Sequence, residues 1–483
     1  MSTSPRIATG VPGLDAILEG GLAPGSVYML IGRPGVGKTI LANQLCYHQA
    51  THGRRAVFFT LLTESHAGML AHLRRMTFFT EAVVGDSMVY FSGYKVLEDA
   101  GLAGLARLVG KAMTDRSPSL VVIDGFGAVS AAAEDGNETK QLVRQLQAFS
   151  ASVGCATVLI SCAGADLVQP EHTIVDGVIE LSQDLNGQRT LRHLQVRKLR
   201  GGRPITGRHT VEITDAGLAV HPRFEADLEN RDPSERPRPM PRVRHGDARV
   251  CFGIPGLDAM MRGGPVVAST TMLLGCSGAG KTTLALSFLA AGAAAGEPGL
   301  FFGMYEQPED LIDKCGRLGI PLQAGIDAGK IEMLWERPIE GVLDVLADRL
   351  LAHIRRLGVK RLVIDGMHSL FRTVDFPDRM RAVSAALAEA LTAFGVTTVY
   401  TLEAPDILHA GSLRVPISDL SAICQNLIAV RMVDRGDQVD RVLTVLKMRD
   451  SDHDRSVREM MITDHGIVIG SRARLHRRGR GRE

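Results

Sequence analysis

The sequence predicts an α/β fold with two tandem domains, each built on a mostly parallel sheet flanked by helices. Two observations predict this fold. A glycine-rich loop that ends in Lys-Thr occurs twice, at Gly32–Thr39 and Gly275–Thr282, each time between an apolar run and a helix-like run. Apolar runs of strand length also alternate with helix-like segments, which is typical of parallel sheets covered on both faces.

The first glycine-rich loop, Gly32–Thr39, follows the apolar run Val27–Ile31. Its glycines allow successive backbone N–H groups to turn inward around phosphate groups, and the start of the next helix adds partial positive charge. Lys38 can reach the outer phosphates of a nucleotide triphosphate, and the Thr39 hydroxyl can ligate Mg²⁺. The alternative is a chance glycine turn before a helix. The predicted nucleotide-binding residues here are Gly32, Gly35, Val36, Gly37, Lys38 and Thr39.

The second loop repeats the first at an offset of 243 residues (275 − 32). The same offset relates the lead-in Gly10–Asp15 to Gly253–Asp258, so the two halves are read as a duplicated domain. The predicted nucleotide-binding residues of the second loop are Gly275, Ser277, Gly278, Ala279, Gly280, Lys281, Thr282 and Thr283.

The composition fits globular domains and argues against several classes of protein. A chain of 483 residues with 45% hydrophobic and 22% charged residues has room for two or three domains with proper cores. The net charge of +2 provides no strong overall field for nucleic acid or an anionic membrane. Seven cysteines without a Cys-x-x-Cys pair favour a cytoplasmic location over a disulfide framework or a zinc site. The most apolar segment, Leu284–Ala295, is too short to span a bilayer.

The elements of the first domain follow from its apolar runs. Continuous apolar runs of strand length indicate buried strands, and the polar turn Asn186-Gly187 indicates that the last two strands form a hairpin. The predicted strands are Val27–Ile31, Ala56–Leu62, Met88–Phe91, Leu120–Asp124, Ala156–Ser161, Thr173–Leu181 and Thr190–Lys198. The predicted helices are Lys38–Ala50, a segment that begins near His66, Leu102–Met113 and Lys140–Ser150.

The predicted domains are residues 1–222 and 248–468. Residues 223–247 carry four prolines among charges and are predicted to be a surface linker. Residues 469–483 are rich in arginine and are predicted to be a disordered, solvated tail. Binding of a partner, or weak binding of nucleic acid, is the alternative for this tail.

Asp124 and Asp365 end two matching apolar runs, and each is followed by glycine. A carboxylate at the carboxyl end of a strand beside a phosphate loop can hold Mg²⁺, usually through its water. We therefore predict a metal site in each domain, formed by Thr39 with Asp124 and by Thr282 with Asp365. The alternative is an ordinary aspartate at the end of a strand.

Glu64 and Glu306 follow the next buried strand of each domain and are candidate catalytic carboxylates. A carboxylate there can accept a proton from water or from a hydroxyl group. The two residues are not in strict register, because an offset of 243 relates Glu306 to Thr63. A bulge beyond the strand end can bring Glu64 back. The alternative for either residue is a surface acid at the start of a helix.

Two basic pairs recur at an offset of 249 residues (447 − 198), Lys198 with Arg200 and Lys447 with Arg449. Two cations two residues apart project from the same side of an extended segment and can neutralise charge that develops on a γ-phosphate. The alternative is a solvated basic edge that discourages strand pairing. The repetition in both halves favours the catalytic interpretation.

Taken together, these residues resemble the KaiC family of the RecA-like ATPases. The resemblance covers roughly residues 6–220 and 249–468 and includes the lead-ins, both loops, the strand-ending aspartates, and the segments Lys198–Gly201 and Lys447–Asp450. It implies a double-ring homohexamer that holds ATP and Mg²⁺ between subunits and signals to protein partners. It also implies that the basic pairs reach the neighbour's nucleotide and that Glu64 and Glu306 are catalytic.

Clock members of this family also phosphorylate an adjacent Ser-Thr pair in the second ring. Ser421-Ala422 stands at that position here, so Ser421 is the single predicted phospho-acceptor. The paired glutamates of the clock members are replaced by Glu306-Gln307 and Thr63-Glu64, and the tail is short and basic. ATP binding and slow hydrolysis are expected to survive these changes.

Two other functions are compatible with the sequence. A DNA-dependent ATPase is disfavoured by the near-neutral charge and by the lack of a basic, aromatic stretch, so no nucleic-acid partner is expected. A nucleotide-bound scaffold with unimportant turnover is disfavoured by the intact Lys, Thr and Asp sets in both halves.

Overall fold

The computed structural model describes residues 5–62, 66–133, 136–162, 170–186, 188–226, 248–337, 342–372, 379–404, 408–409, 412–413, 424–435, 438–449 and 451–473. The chain divides into two compact units, Met1–Asn230 and Arg231–Glu483. Each unit carries one nine-stranded sheet, which confirms the predicted α/β fold with two tandem domains. Among the helices in these ranges, none is long and apolar enough to cross a membrane.

The first unit alternates strands and helices up to its sixth strand and then continues as strands. Its strands are β1 Val27–Gly32, β2 Ala56–Thr60, β3 Met88–Ser92, β4 Leu120–Asp124, β5 Ala156–Cys162, β6 Gly177–Asn186, β7 Arg189–Leu199, β8 His209–Thr214 and β9 Gly217–His221. Its α-helices are α1 Leu14–Ile17, α2 Lys38–Thr51, α3 His66–Leu73, α4 Tyr94–Arg116, α5 Gly127–Ala132 and α6 Gly136–Val153.

The sheet of the first unit has the order β3-β2-β4-β5-β1-β6-β7-β8-β9. Neighbours from β3 to β6 are parallel, and neighbours from β6 to β9 are antiparallel. Parallel strands require crossover connections, so their carboxyl ends collect at one edge of the sheet. The loop after β1 and Asp124 at the end of β4 both lie at that edge. The fold therefore brings the predicted phosphate and metal ligands together.

The second unit repeats this architecture. Its strands are β10 Thr270–Gly275, β11 Gly299–Gly303, β12 Ile331–Trp335, β13 Arg361–Asp365, β14 Thr397–Glu403, β15 Leu408–His409, β16 Ser412–Leu413, β17 Asn426–Asp434, β18 Val439–Met448, β19 Arg458–Thr463 and β20 Gly466–Arg472. Its α-helices are α7 Pro255–Met260, α8 Lys281–Ala294, α9 Pro308–Arg317, α10 Leu322–Asp327, α11 Leu343–Leu357, α12 Met367–Arg372 and α13 Arg379–Ala393. The main sheet has the order β12-β11-β13-β14-β10-β17-β18-β19-β20, and β15 pairs with β16 separately.

The central strand of each sheet is buried along its whole length. In β1, Tyr28 and Leu30 pack into the core on one face of the sheet, whereas Met29 and Ile31 pack into the core on the other face. This alternation is the period-2 pattern of a strand covered on both sides. The phosphate loop therefore starts from a strand that is packed against a core on both faces of the sheet.

A one-residue β-bulge interrupts the β6–β7 hairpin. Lys198 pairs with Val178, whereas Val196 pairs with Ile179, so Arg197 is an extra residue in β7. A regular strand would place Lys198 and Val196 on the same face, because they are two residues apart. The bulge instead places Lys198 on the face opposite to Val196.

The β17–β18 hairpin carries the same bulge. Lys447 pairs with Leu427, whereas Val445 pairs with Ile428, so Leu446 is the extra residue. Val445 and Ile428 belong to one core of the second unit. Lys447 therefore lies on the other face of the sheet, as Lys198 does in the first unit.

Two predicted boundaries are wrong. The predicted linker began at residue 223, but Phe224 and Ala226 are buried in the first unit, with 2% and 7% of their surface exposed. The predicted tail began at residue 469, but β20 continues to Arg472, which pairs with Arg458. In both places, tertiary contacts hold residues that the local composition had assigned to solvent. The remaining linker and tail residues lie outside the described ranges.

Two elements also differ from the sequence prediction. The strand predicted to begin at Thr173 begins at Gly177, after a 3₁₀ turn at Pro170–Thr173. The helix predicted over Leu102–Met113 is part of the longer α4, which is interrupted at Gly101 with φ of 60°. Apolar periodicity did not reveal the first turns of α4, because most residues from Tyr94 to Ala100 are exposed.

Candidate active site

The two glycine-rich loops join the central strand of each sheet to a helix. Gly37 and Gly280 directly precede α2 and α8 with φ of 104° and 99°, in the left-handed region that favours glycine. A Cβ on Gly280 would also lie 2.9 Å from the Ile462 side chain. The backbone conformation therefore favours glycine at this position, and a larger residue would also displace the end of the Ile462 side chain. Val36 and Ala279 are buried, so only their backbone groups can face a phosphate.

Lys38 and Lys281 lie inside the loops that precede them. Lys38 Nζ donates to the carbonyl oxygens of Gly32 and Arg33 at 2.7 and 2.9 Å. Lys281 Nζ makes the same two contacts in its own loop, at 3.0 and 2.8 Å. Burial lowers the pKa of both lysines. A bound phosphate would supply the negative charge that stabilises these buried cations.

The predicted metal ligands are adjacent in both units. Thr39 Oγ1 donates to Asp124 Oδ2 at 2.9 Å, and Thr282 Oγ1 lies 3.2 Å from Asp365 Oδ2. A hydroxyl oxygen and a carboxylate side by side next to a phosphate loop are a donor set that suits Mg²⁺, directly or through its waters. The residues present therefore fit the metal that the sequence predicted.

Asp365 has a further partner that the sequence analysis missed. Thr401, in β14, donates to Asp365 Oδ1 and accepts a hydrogen bond of 2.8 Å from the backbone N–H of Gly366. Burial raises the pKa of Asp365, and the hydrogen bonds from Thr401 and Thr282 partly oppose that rise. A hydroxyl residue inside a buried apolar strand was the signal available in the sequence.

We expect Asp365→Asn to raise the thermal stability of the nucleotide-free protein at neutral pH. The folded state raises the pKa of Asp365, so burial penalises the ionised carboxylate. The penalty is absent below the unfolded pKa of about 4 and grows as the pH rises above it. The unfolding midpoint should rise by about 2–4 °C for each kcal/mol removed. Thermal unfolding without Mg²⁺ or nucleotide, at pH values from 4 to 8, measures this effect.

The exposed Asp313 provides the control for this measurement. Asp313→Asn should leave the midpoint unchanged at every pH. A midpoint that falls at neutral pH in Asp365→Asn would show that the lost hydrogen bonds outweigh the relief of burial.

A cleft of about 540 Å³ opens beside the second loop. Predicted residues that line it are Ser277, Gly278, Gly280, Lys281, Thr282, Thr283, Glu306 and Asp365. Lining residues that the sequence analysis did not predict are Tyr305, Lys314, Leu318, Gly366, His368, Thr401, Glu403, Arg441 and Ile462. The cleft thus unites the loop, the metal ligands and the candidate base of the second unit.

Glu403 reaches this cleft through strand register. It ends β14 and pairs with Gly275, the first residue of the loop. Its negative charge acts on Lys281 and favours the protonated form, although burial still lowers the pKa of that lysine. In the first unit Cys162 pairs with Gly32 at the matching position. The two loops therefore have different neighbours on the same side.

Glu306 lies at the mouth of the second cleft, with 42% of its side chain exposed. Lys314 Nζ lies 3.2 Å from Glu306 Oε2. The residue before it, Tyr305, covers Gly366 and accepts a hydrogen bond from the Ser369 hydroxyl. The structure therefore brings Glu306 to the metal and loop residues as predicted.

In the first unit Leu62 covers Gly125 as Tyr305 covers Gly366. This match supports the offset of 243 and aligns Thr63, rather than Glu64, with Glu306. Thr63 and Glu64 lie outside the described residues, so the catalytic assignment of Glu64 stays a prediction. The same holds for Ser421, which is also outside them.

The basic pairs lie at the edge of the sheet opposite to the loops. In the first unit the loop begins at Gly32, which pairs with Leu181, whereas Lys198 pairs with Val178, three residues earlier in β6. Three residues of a strand span roughly 10 Å. Lys198 Nζ donates to the Thr173 carbonyl oxygen at 2.8 Å, and so it is held at this opposite edge. In the same unit, Arg200 lies 3.5 Å from a carboxylate oxygen of Asp176.

The second unit shows the same separation. Its loop begins at Gly275, which pairs with Val430, whereas Lys447 pairs with Leu427. Lys447 Nζ donates to the Cys424 carbonyl oxygen at 2.9 Å. Among the described residues that line the second cleft, Lys447 and Arg449 do not occur. The basic pairs are therefore placed away from the loop of their own unit.

Comparison with known proteins agrees with this geometry. The family model described as "ATPase: KaiC" matches residues 7–225 and again residues 250–474. The circadian clock oscillator protein KaiC of a Picosynechococcus species is 26% identical over 494 residues, which cover 98% of this chain and 91% of that protein. The circadian clock protein KaiC3 of a Synechocystis species is 23% identical, over 96% of this chain and 92% of that protein. With one family match on each unit, the chain belongs to the KaiC family of ATPases.

Proposed function

We propose that the chain binds ATP with Mg²⁺ in both units, hydrolyses it slowly, and works as a cytoplasmic homohexamer that signals to protein partners. One observation carries the nucleotide part of this proposal. Each unit has an intact loop with a lysine buried inside it and a threonine in contact with a strand-ending aspartate. Two complete loops support one nucleotide site per unit.

The residues of the second cleft divide into binding and catalytic groups. The loop N–H groups and Lys281 hold the phosphates. Thr282 and Asp365 would hold Mg²⁺, which neutralises charge on the β- and γ-phosphate oxygens when it is bound. Glu306 orients the attacking water and accepts its proton. In the first unit we assign the same catalytic role to Glu64.

The basic pairs complete the site of a neighbouring protomer in this proposal. Their placement opposite to their own loop supports action on another copy of the chain. A unit with a loop at one edge of its sheet and cations at the other edge suits head-to-tail contacts between copies, which form a ring where the rotation between copies closes. Stabilisation of charge on the γ-phosphate would then depend on assembly.

Self-phosphorylation of Ser421 is the second activity that we propose for the second unit. A hydroxyl near a γ-phosphate with a carboxylate base is chemically sufficient for the transfer, and Glu306 supplies the base. Phosphopeptide mass spectrometry after incubation with ATP should detect one phosphate on Ser421 and none in Ser421→Ala. An unmodified Ser421 after prolonged incubation would remove the kinase activity and leave the ATPase proposal intact.

Glu306→Gln tests the hydrolytic role of the second unit. Glutamine keeps the size of the side chain but cannot accept the proton, so turnover there should fall on the order of 10². When ATP is bound before the reaction starts, the time course of its hydrolysis by the Glu306→Gln chain should show two phases of similar amplitude, one for each unit. The amount of bound ATP should stay unchanged.

Glu309→Gln is the matched control, because Glu309 is an exposed acid three residues further along the chain, in α9. Its time course should equal that of the unmodified chain. A Glu306→Gln chain that hydrolyses both bound nucleotides at the original rates would refute the catalytic assignment.

A further inference from the structure

Lys314 and Glu306 form an ion pair inside the second cleft. The two charged groups are 3.2 Å apart, and both side chains line the cleft. An offset of 243 residues relates Glu306 to Thr63 in the first unit.

The helix that carries Lys314 explains how the pair forms. Glu306 stands two residues before α9, and Lys314 stands about two turns into it. Long side chains on a helix lean toward its N-terminus, so the ammonium group reaches back to Glu306. Leu311 and Cys315 of the same helix are buried and hold it against the core. Lys314 therefore extends from a fixed support.

Glu306 is also held on its other side. The ring of Tyr305 lies over Gly366, and its hydroxyl accepts a hydrogen bond from Ser369. Gly366 directly follows the candidate metal ligand Asp365. Tyr305 thus holds the backbone before Glu306 against the metal side of the cleft. The ion pair with Lys314 holds the Glu306 carboxylate against α9.

We propose that Lys314 is a positioning residue that keeps the Glu306 carboxylate directed into the cleft. The inference rests on the proposed base role of Glu306. In the reaction the water oxygen forms the new bond to the γ-phosphorus, the water proton passes to Glu306, and the bond to the bridging oxygen of ADP breaks. Lys314 acts on the geometry of this step, because a partly exposed ion pair adds little stability.

Lys314→Met tests the proposal, because methionine removes the charge but keeps an unbranched stem. The hydrolysis phase of the second unit should slow on the order of tenfold, since a displaced base loses alignment with the water. ATP affinity should stay unchanged. Lys314→Arg should restore most of the rate. In a Glu306→Gln chain, Lys314→Met should slow the reaction no further, because its effect acts through Glu306.

Arg349→Met is the matched control, because it breaks an ion pair of 2.9 Å with Glu336 outside the cleft. It should leave the rate unchanged. Weaker ATP binding with an unchanged rate in Lys314→Met would overturn the inference and make Lys314 a phosphate ligand. An unchanged rate and affinity would overturn it as well. If Glu306→Gln itself does not slow hydrolysis, the proposed function fails; if only Lys314→Met has no effect, this inference fails alone.

Discussion

Replacing Lys38 and Lys281 together by alanine is expected to abolish ATP binding. Each ammonium group lies inside its loop, where it already donates to loop carbonyl oxygens and where burial lowers its pKa. Two unit charges at 4 Å interact with about 4 kcal/mol at an effective dielectric constant of 20. Losing that interaction should raise the Kd for ATP roughly a thousandfold at each site. Equilibrium binding of radiolabelled ATP to the purified full-length chain measures it.

The single variants separate the two sites. Lys38→Ala and Lys281→Ala should each retain one nucleotide per chain, whereas the unmodified chain should bind two. Lys111→Ala and Lys360→Ala replace exposed lysines of the same two units and should bind as the unmodified chain does. Full stoichiometry in the double variant would remove the basis of the proposed function. Thermal unfolding without nucleotide confirms that each variant is folded.

Replacing Lys447 and Arg449 together by alanine is expected to lower the rate of hydrolysis in the second unit by a factor on the order of 10³. A cation supplied to a transferring phosphoryl group has an effect of this size. The physical reason is the loss of charge stabilisation at the γ-phosphate of the neighbouring protomer. Single-turnover hydrolysis of bound ATP measures it. Arg355→Ala with Arg356→Ala, an exposed basic pair near the end of α11, should leave the rate unchanged.

A mixing experiment decides whether these cations act on the neighbour. Chains with Lys281→Ala keep their cations, and chains with Lys447→Ala and Arg449→Ala keep their loop. Random co-assembly of equal amounts should restore about one site in four, because head-to-tail contacts bring an intact loop against intact cations. A mixture as inactive as its two components would show that the cations serve their own chain.

The sequence was sufficient to predict the loops, the strand-ending aspartates and the duplication, because these features depend on local conformation. Gly37 and Gly280 adopt backbone angles that favour glycine, so the motif and the geometry are inseparable. Asp124 and Asp365 directly end buried strands, and parallel strands place such ends at one edge. The two nine-stranded sheets confirm the duplicated fold.

The other residues of the second cleft were missed because tertiary packing places them there. Thr401 is 36 residues from Asp365, and its contact depends on the pairing of β13 with β14. Glu403 faces the loop because it is the last residue of β14 and pairs with Gly275. Lys314 is one of five charged residues in α9, and their spacing does not distinguish it from the others. A single sequence can mark Thr401 as a hydroxyl residue in an apolar strand, but it does not indicate which residues these three side chains contact.

The extra residue in β7 and in β18 has a consequence for how these strands tolerate change. Arg197 and Leu446 have different chemistry, so the identity of the side chain at the bulge is free to vary. Its presence does not decide the direction of the following lysine either, because without it Val196 and Lys198, or Val445 and Lys447, would be adjacent and regular alternation would place them on opposite faces, as the bulge does now. A deletion of Leu446 should therefore leave Lys447 on the same face of the sheet and remove only the local bend and the extra twist that the bulge adds to β18.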